Sequence, residues 1–310
     1  MTFRLRAKGF PSLPAKDERV PATLAELADA ITIVGRRLPL KMGDVFAWHE
    51  MVGLHHQTLA YVERTRKGFV LSPQVKRLDG SEKAAFAYRA GMGLAHLAAV
   101  RHLGVRQTLH VDTMVKEECV TFVSGGRSRP DLLAQDAKKR WHVIEVKGRS
   151  RAPGPKLMAK AKEQAKKIAL VNGVAPASFV GAVAVLGRKP MSLDFEDPPA
   201  PDATQVVTVD RVKAADWELA PFRGARRTTE SSSVRLPTLE TTARLWPIPG
   251  TPHEVGLLEP LAQLLDDPEA FLEERLRFAG RASEHVVGTR GETLMALAVD
   301  ATGRVVSTRT

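Results

Sequence analysis

The stretch RPDLLAQDAKKRWHVIEVKG, residues 129–148, decides how the rest of the chain is interpreted. Two apolar runs, 132–134 and 141–146, flank a polar segment, a pattern typical of two β-strands joined by a tight loop. A five-residue loop at 136–140 places Asp131 directly opposite Glu145. Because side chains alternate along a strand, Lys147 shares their face. The stretch therefore predicts a hairpin with two carboxylates and one ammonium at its open end.

These three side chains interrupt an otherwise apolar segment, so their charges are expected to be partly desolvated. Two adjacent carboxylates repel each other unless a cation lies between them. A divalent ion bound by oxygen ligands relieves the repulsion, and Mg²⁺ is the usual choice where phosphate is the substrate. A lysine beside it can hold a water molecule or stabilise charge that develops on phosphate. The alternative is a cross-strand ion pair on a solvated sheet face, without catalytic content.

The pairs Pro130–Asp131 and Glu145–Val146–Lys147 resemble the two halves of the motif that defines the PD-(D/E)xK, or restriction-endonuclease-like, nuclease superfamily. The resemblance covers roughly residues 80–190. It implies an α/β fold whose core runs helix, three strands, helix, strand (αβββαβ). It also implies that Asp131, Glu145 and the carbonyl of Val146 bind Mg²⁺, with Mn²⁺ as a substitute, and that Lys147 positions the attacking water.

Two further residues are candidates for the same site. Glu82 lies at the start of a helix expected from Glu82 to about His102, where the resemblance favours a third carboxylate; a favourable interaction with the helix dipole explains it equally well. Gln164 lies on the inward stripe of a helix expected over 154–171, and some branches of the superfamily carry a glutamine there. A purely structural role for Gln164 also remains open.

The charge of the chain favours a polyanionic partner. Lys and Arg number 46 against 35 Asp and Glu, a net charge of +11, and phosphate backbones bind such proteins through counterion release. The candidate phosphate contacts follow the motif or precede it: Arg127, Arg129, Arg149, Lys156 and Lys160.

The remaining sequence predicts four regions. Residues 1–78 are expected to form an extended arm followed by helices, including one at 23–30 with a Thr23–Glu26 capping box and one from Asp44 to about Val62. Residues 79–222 are expected to form the nuclease core, with strands at 178–186 and 205–212 and a long or bent strand at 107–123, in which residues 116–118 could instead be a turn. Residues 223–252 are a basic linker or loop, and 253–310 a small α+β unit with a helix over 254–277 and a hairpin near 301–303.

Other features limit the class of protein. No apolar stretch is long enough to span a membrane, and the basic first 21 residues hold no apolar secretory segment. A single cysteine, Cys119, suits a reducing compartment, so we expect a cytoplasmic protein. The histidines of HEMVGLHH, 49–56, lack HExxH spacing and are expected to be ordinary core or surface residues.

These observations together favour a Mg²⁺-dependent DNA nuclease, with roles in restriction, phage defence or repair. A non-catalytic nucleic-acid-binding or scaffold protein on the same fold and an RNA-directed nuclease are the alternatives. The flanking regions are candidates for homo-oligomer contacts or for a regulatory partner.

Overall fold

A computed structural model describes residues 2–10, 15–35, 43–124, 128–154, 156–187, 190–198, 203–277, 284–290, 293–299 and 303–308. The fold is mixed α/β, as the sequence predicts. The helices are α1 (Leu24–Gly35), α2 (Asp44–Tyr61), α3 (Gly80–Ala98), α4 (Val111–Lys116), α5 (Lys156–Ala165), α6 (Arg211–Thr228), α7 (Glu259–Ala262) and α8 (Pro268–Arg277). Among these described helices, none is both long and apolar enough to cross a membrane.

The strands form one large sheet, a barrel and two small sheets. They are β1 (Thr2–Lys8), β2 (Lys16–Pro21), β3 (Val62–Thr65), β4 (Gly68–Leu71), β5 (Val105–His110), β6 (Val120–Ser124), β7 (Leu132–Asp136), β8 (Trp141–Arg149), β9 (Ile168–Val171), β10 (Ser178–Val185), β11 (Ser192–Glu196), β12 (Gln205–Val209), β13 (Ser232–Leu236), β14 (Thr241–Pro247), β15 (His253–Leu258), β16 (Glu284–Arg290), β17 (Thr293–Val299) and β18 (Arg304–Thr308).

The large sheet has seven strands in the order β2-β1-β11-β10-β8-β7-β5. The extended N-terminal arm is thus two strands of this sheet, since β1 pairs with β11 and β2 pairs with β1. Next comes α1, which begins with the expected capping box: Thr23 and Glu26 bond each other's backbone N–H groups at 2.6 and 3.0 Å. The helix α2 also lies where the sequence places it.

The centre of the large sheet consists of β5, β7, β8 and β10. In the chain, α3 precedes these strands and α5 lies between β8 and β10. A single long strand over 107–123 is wrong, whereas the alternative of a turn at 116–118 agrees with the structure, which turns at 117–118. β5 ends at His110, whose ring accepts a 3.3 Å hydrogen bond from the N–H of Thr113 and so caps α4. The chain then turns at Glu118, which has a φ of 58°, into β6, and β6 belongs to a separate sheet with β12 and β9.

The expected helix over 154–171 is too long. α5 ends at Ala165, and Ile168–Val171 forms β9, which pairs in parallel with β12. The strands expected at 178–186 and 205–212 correspond to β10 and β12.

Alternation along β8 divides its side chains between two apolar layers. Ile144 and Val146 join the core that contains α3, whereas Trp141 and Val143 join the core under the end of α5. Glu145 therefore points to the same side of the sheet as Trp141 and Val143. Its position in the middle of a sheet explains why its carboxylate is withdrawn from water.

The helix α3 packs unusually close to β8. A Cβ on Gly148 would lie 1.9 Å from the carbonyl oxygen of Ala87, and one on Gly91 would lie 3.0 Å from the Cα of Gly148. The glycines therefore allow the helix and strand backbones to approach each other. This contact fixes the height of α3 over the strand that carries Glu145 and Lys147.

The basic linker expected at 223–252 is also wrong. Those residues are the end of α6 and the strands β13 and β14, which open a closed barrel of order β13-β14-β15-β18-β17-β16. The alternation is clear in retrospect, because Val234 and Leu236 are buried while Arg235 between them is exposed.

The helix expected over 254–277 is interrupted. Its first part is the fully buried strand β15, and only α7 and α8 are helical. The expected hairpin near 301–303 joins β17 to β18, with Gly303 at a φ of 79°, although 300–302 lie outside the described residues. The barrel packs against α2 and α6 through a core that includes Trp48, Phe222 and Trp246.

Candidate active site

The hairpin has the register that the sequence predicts. Leu132 pairs with Ile144 and Leu133 with Val143, so the next pair outward along this register is Asp131 and Glu145. The loop closes where Asp136 and Arg140 meet, with a 3.0 Å bond from the N–H of Asp136 to the carbonyl of Arg140. The two acids therefore meet at the open end of the hairpin.

Asp131 lies at the bend before β7 and is fixed by three hydrogen bonds. Its Oδ2 accepts from the backbone N–H of Val146 at 2.8 Å, and its Oδ1 accepts from the Tyr88 hydroxyl at 2.9 Å. Its own carbonyl accepts from the N–H of Val111 at 2.9 Å. The carboxylate is thus held between α3 and β8 rather than left free in a loop.

Glu145 is only 2% exposed. Its Oε1 contacts the Nζ of Lys147, which confirms that the two side chains share one face. Its other oxygen, Oε2, is buried without a hydrogen-bond partner in the part of the chain that the structure describes. A buried carboxylate oxygen without a partner is costly unless a further ligand completes it.

Both acids resist ionisation. Burial, followed by repulsion from Asp131, raises the pKa of Glu145 to about 7. Burial raises the pKa of Asp131 as well, with a smaller contribution from the charge of Asp112. Perturbed neighbouring carboxylates are typical of functional sites, because a structure gains little stability from keeping two buried anions together.

A tyrosine and a histidine that the sequence reasoning missed stand behind Asp131. His110 Nδ1 accepts from the N–H of Thr113, so in the neutral ring Nε2 carries the proton. Nε2 lies 3.3 Å from the Tyr88 hydroxyl, which donates in turn to Asp131. The chain from His110 through Tyr88 orients the carboxylate. Tyr88 follows Phe86 and Ala87 of the buried stripe, and no motif in the sequence marks it.

The structure places Glu82 away from these groups. Asp79 caps α3, and Glu82 completes a capping box by accepting from the N–H of Asp79 at 3.3 Å. Glu82 is exposed and precedes Tyr88 by six residues, about 9 Å along the helix axis. The third carboxylate whose charge acts on Asp131 is Asp112 in the first turn of α4.

Gln164 approaches the loop before Asp131 instead of the carboxylates themselves. Its Nε2 lies 3.5 Å from the Ser128 hydroxyl, and its Oε1 is buried without a partner among the described residues. Gln205 binds the carbonyl of the same Ser128 at 3.2 Å. The two glutamines therefore hold Ser128 in place, two residues before Pro130.

Three of the five predicted phosphate contacts lie together. Arg149, Lys156 and Lys160 line a cleft of about 670 Å³, here called the motif cleft, at the end of β8. Its other lining residues are Ser150, Arg151, Ala152, Pro153, Gly154 and Leu157. Arg129 is exposed and its guanidinium lies 5.1 Å from the centre of the Phe122 ring. Arg127 lies outside the described residues.

The described residues contain no group of three or more His, Cys, Asp or Glu side chains arranged to hold a metal ion. Cys119 lies between α4 and β6 and is buried. Burial raises the pKa of its thiol to about 12. It therefore behaves as an apolar side chain, as the sequence indicates.

Comparisons of the chain with family models, with curated proteins and with solved structures found no match.

Proposed function

We propose that the chain is a Mg²⁺-dependent nuclease that hydrolyses phosphodiester bonds in DNA, on a restriction-endonuclease-like core. The order α3, β5, β7, β8, α5, β10 supports the proposed core, because it follows the helix, three strands, helix and strand that the motif implies. The observation that carries the proposal is the pair formed by half-buried Asp131 and buried Glu145, with raised pKa values and Lys147 beside them.

The donor set suits a hard divalent cation. Asp131 and Glu145 would hold Mg²⁺, and Oε2 of Glu145 offers it an oxygen that no group among the described residues satisfies. The carbonyl of Val146 would be the third protein ligand. Its N–H faces Asp131, and in a strand the carbonyl of the same residue points to the same side. When bound, the ion supplies charge neutralisation at the phosphate and at the leaving oxygen.

The residues of the chain supply positioning. Lys147, released from Glu145, would hold the attacking water or the phosphate by its ammonium group. Tyr88 keeps Asp131 aligned. The basic residues of the motif cleft would bind the phosphate backbone of the DNA strand. Hydrolysis adds the water oxygen to phosphorus while one P–O ester bond breaks, and the leaving alkoxide takes up a proton.

The competing function is a nucleic-acid-binding protein whose acids are merely paired with lysine. The contact between Lys147 and Glu145 favours it. One ammonium, however, serves two acids in this arrangement, and burial, followed by repulsion from Asp131, still raises the pKa of Glu145 to about 7. Two adjacent carboxylates that are withdrawn from water and share one cation are better explained by a second cation in the working protein.

The test is cleavage of supercoiled, linear and single-stranded DNA and of RNA, each with and without Mg²⁺. We expect Mg²⁺-dependent cleavage of DNA that Asp131→Asn and Lys147→Ala abolish while the melting temperature and DNA retention stay close to those of the parent. Cleavage by both variants at the parent rate would refute the proposal, and cleavage confined to RNA would replace DNA as the substrate.

A further inference from the structure

A second cleft adjoins the motif cleft. It has a volume of about 850 Å³ and shares Ser150 and Arg151 with the motif cleft. We call it the hairpin cleft, because its outer wall is the β3–β4 hairpin. The other residues that line it are Glu63, Thr65, Arg66, Lys67, Val70, Leu71, Ser72, Pro73, Val75, Lys76, Lys83, Leu186 and Gly187.

The rim of the hairpin cleft is basic. Arg66 and Lys67 form the tip of the hairpin, a position where two-residue turns usually carry Asn, Asp or Gly. Lys76 comes from the 3₁₀ turn Pro73–Arg77, and Lys83 donates to its carbonyl at 3.0 Å. Glu63 is the one acid that lines either cleft, against eight basic side chains in the two together.

These cations are available to an external anion. In the part of the chain that the structure describes, no carboxylate forms an ion pair with Arg66, Lys67 or Lys76. The same holds for Arg151, where the two clefts meet. By contrast, Lys8 of β1 and Lys162 of α5 are both paired with Glu196.

The interior of the hairpin cleft is apolar. Val70, Val75 and Leu186 are buried beneath the basic rim. The hairpin is held rigidly above them, since the N–H of Met191 donates to the carbonyl of Phe69 at 2.8 Å and Phe69 is fully buried. A preformed pocket of this size with apolar walls and a few polar groups is typical of a ligand site.

An apolar interior under a cationic rim is complementary to an unpaired nucleotide. A blunt duplex keeps its bases stacked and has no unpaired nucleotide to enter the cleft, so it neither fills the interior nor carries its phosphates across the rim. A single strand offers both phosphates for the rim and base faces for apolar walls. Lys147 and Arg151 are four residues apart, at most about 14 Å along the chain, so one strand could pass from the candidate site into this cleft.

We infer that the hairpin cleft binds unpaired nucleotides of a DNA strand that continues from the candidate active site. The inference rests on the proposed function and specifies its substrate class: DNA with a single-stranded segment next to the scissile bond, rather than uninterrupted duplex. The N-terminal part of the chain, from β3 to the start of α3, would then select the substrate.

Binding without cleavage tests this. Fluorescence anisotropy in EDTA would measure binding to two DNA probes: a blunt stem-loop duplex and the same duplex with a single-stranded overhang. The proteins compared are the parent and the double variant Lys67→Gln, Lys76→Gln. The matched control is Lys138→Gln with Lys139→Gln, two exposed lysines in the β7–β8 loop at the other end of the hairpin from Asp131. Thermal melting of all three proteins would verify folding.

We expect the Lys67/Lys76 variant to lose at least about tenfold in affinity for the overhang substrate and less than twofold for the blunt duplex. Its slope of log K against log salt should fall by about 1.4, as two lost single-strand phosphate contacts require. The control variant should match the parent. Equal losses on both substrates, or no loss on either, would overturn the inference.

The two proposals fail separately. A chain that never cleaves DNA but shows the overhang-specific loss would refute the nuclease and leave the cleft assignment standing. A chain that cleaves DNA through Asp131 but binds both substrates equally in every variant would support the nuclease and refute the cleft assignment.

Discussion

The backbone N–H of Val146 donates a 2.8 Å hydrogen bond to Oδ2 of Asp131. The residue between Glu145 and Lys147 thus orients the first acid, and the two halves of the motif are one structural unit. The other oxygen of Asp131 is held from the opposite side by Tyr88. The carboxylate is positioned before any ligand arrives, which lowers the cost of binding a cation.

Tyr88→Phe should reduce Mg²⁺-dependent cleavage by about 10- to 100-fold, the usual effect of removing a group that orients a metal ligand. Phenylalanine keeps the ring beside His110 and removes the hydroxyl that bonds Asp131 and contacts His110 Nε2. The matched control is Tyr61→Phe, at the only other tyrosine in the chain, whose ring packs against Phe86. Steady-state cleavage rates would decide, and equal rates for both variants would show that Tyr88 does not position Asp131.

Glu82→Gln should leave the cleavage rate within about twofold of the parent, because the Glu82 carboxylate completes the capping box of α3 and is exposed. Glu82→Ala should lower the free energy of unfolding by about 0.5 to 1 kcal/mol through loss of that cap. Urea titrations and cleavage assays measure the two effects. A large loss of rate in Glu82→Gln with unchanged stability would restore a catalytic role.

Gly148→Ala should disturb the site without touching a charged group. The added methyl group would meet the carbonyl of Ala87 at 1.9 Å, so α3 must move away from β8. We expect a loss of about 1 to 3 kcal/mol of stability, typical of overpacking, together with slower cleavage because Tyr88 moves with α3. Gly53→Ala, in α2 and outside both clefts, is the control, because no atom lies within 4 Å of the new Cβ.

Acid should destabilise the protein partly through His55. Burial lowers the pKa of this fully buried ring to about 3, so it is neutral in the folded protein. In the unfolded chain it takes up a proton below about pH 6.5. Its stabilising contribution is therefore complete above pH 6.5 and is lost as the pH falls towards 3.

At pH 5 this linkage amounts to about 2 kcal/mol. His55→Gln should therefore lose about 2 kcal/mol less than the parent between pH 7.5 and pH 5, measured by urea unfolding at both values. An identical loss in the two proteins would contradict the assignment.

The hairpin could be predicted from sequence because its information is local. Turn residues fix the loop at 136–140, and strand alternation then fixes the faces of Glu145 and Lys147. Tyr88 and His110 could not be found in this way, since each reaches Asp131 only through the packing of α3 and β5 on the hairpin. Tyr88 bonds Asp131, 43 positions further along the chain, and His110 acts on Asp131 through Tyr88, which lies 22 positions before it.

The wrong predictions of secondary structure also arise because contacts distant in sequence decide the outcome. Residues 107–123 have strand-forming composition throughout, yet the cap at His110 turns the chain into α4. The barrel strands β13 and β14 have the composition of a linker because their exposed positions carry Arg, Thr and Ser. The period-two pattern of Val234 and Leu236 in β13, repeated by Ala243 and Leu245 in β14, was the available signal.

The central claim is that Asp131 and Glu145 share a divalent cation. Titration calorimetry of the full chain with Mg²⁺ and with Mn²⁺, in the presence and absence of duplex DNA, tests it most directly. We predict a saturable signal near one ion per chain that is lost in Glu145→Gln and retained in Glu82→Gln. No signal in the parent under any of these conditions, or an unchanged signal in Glu145→Gln, would contradict the claim.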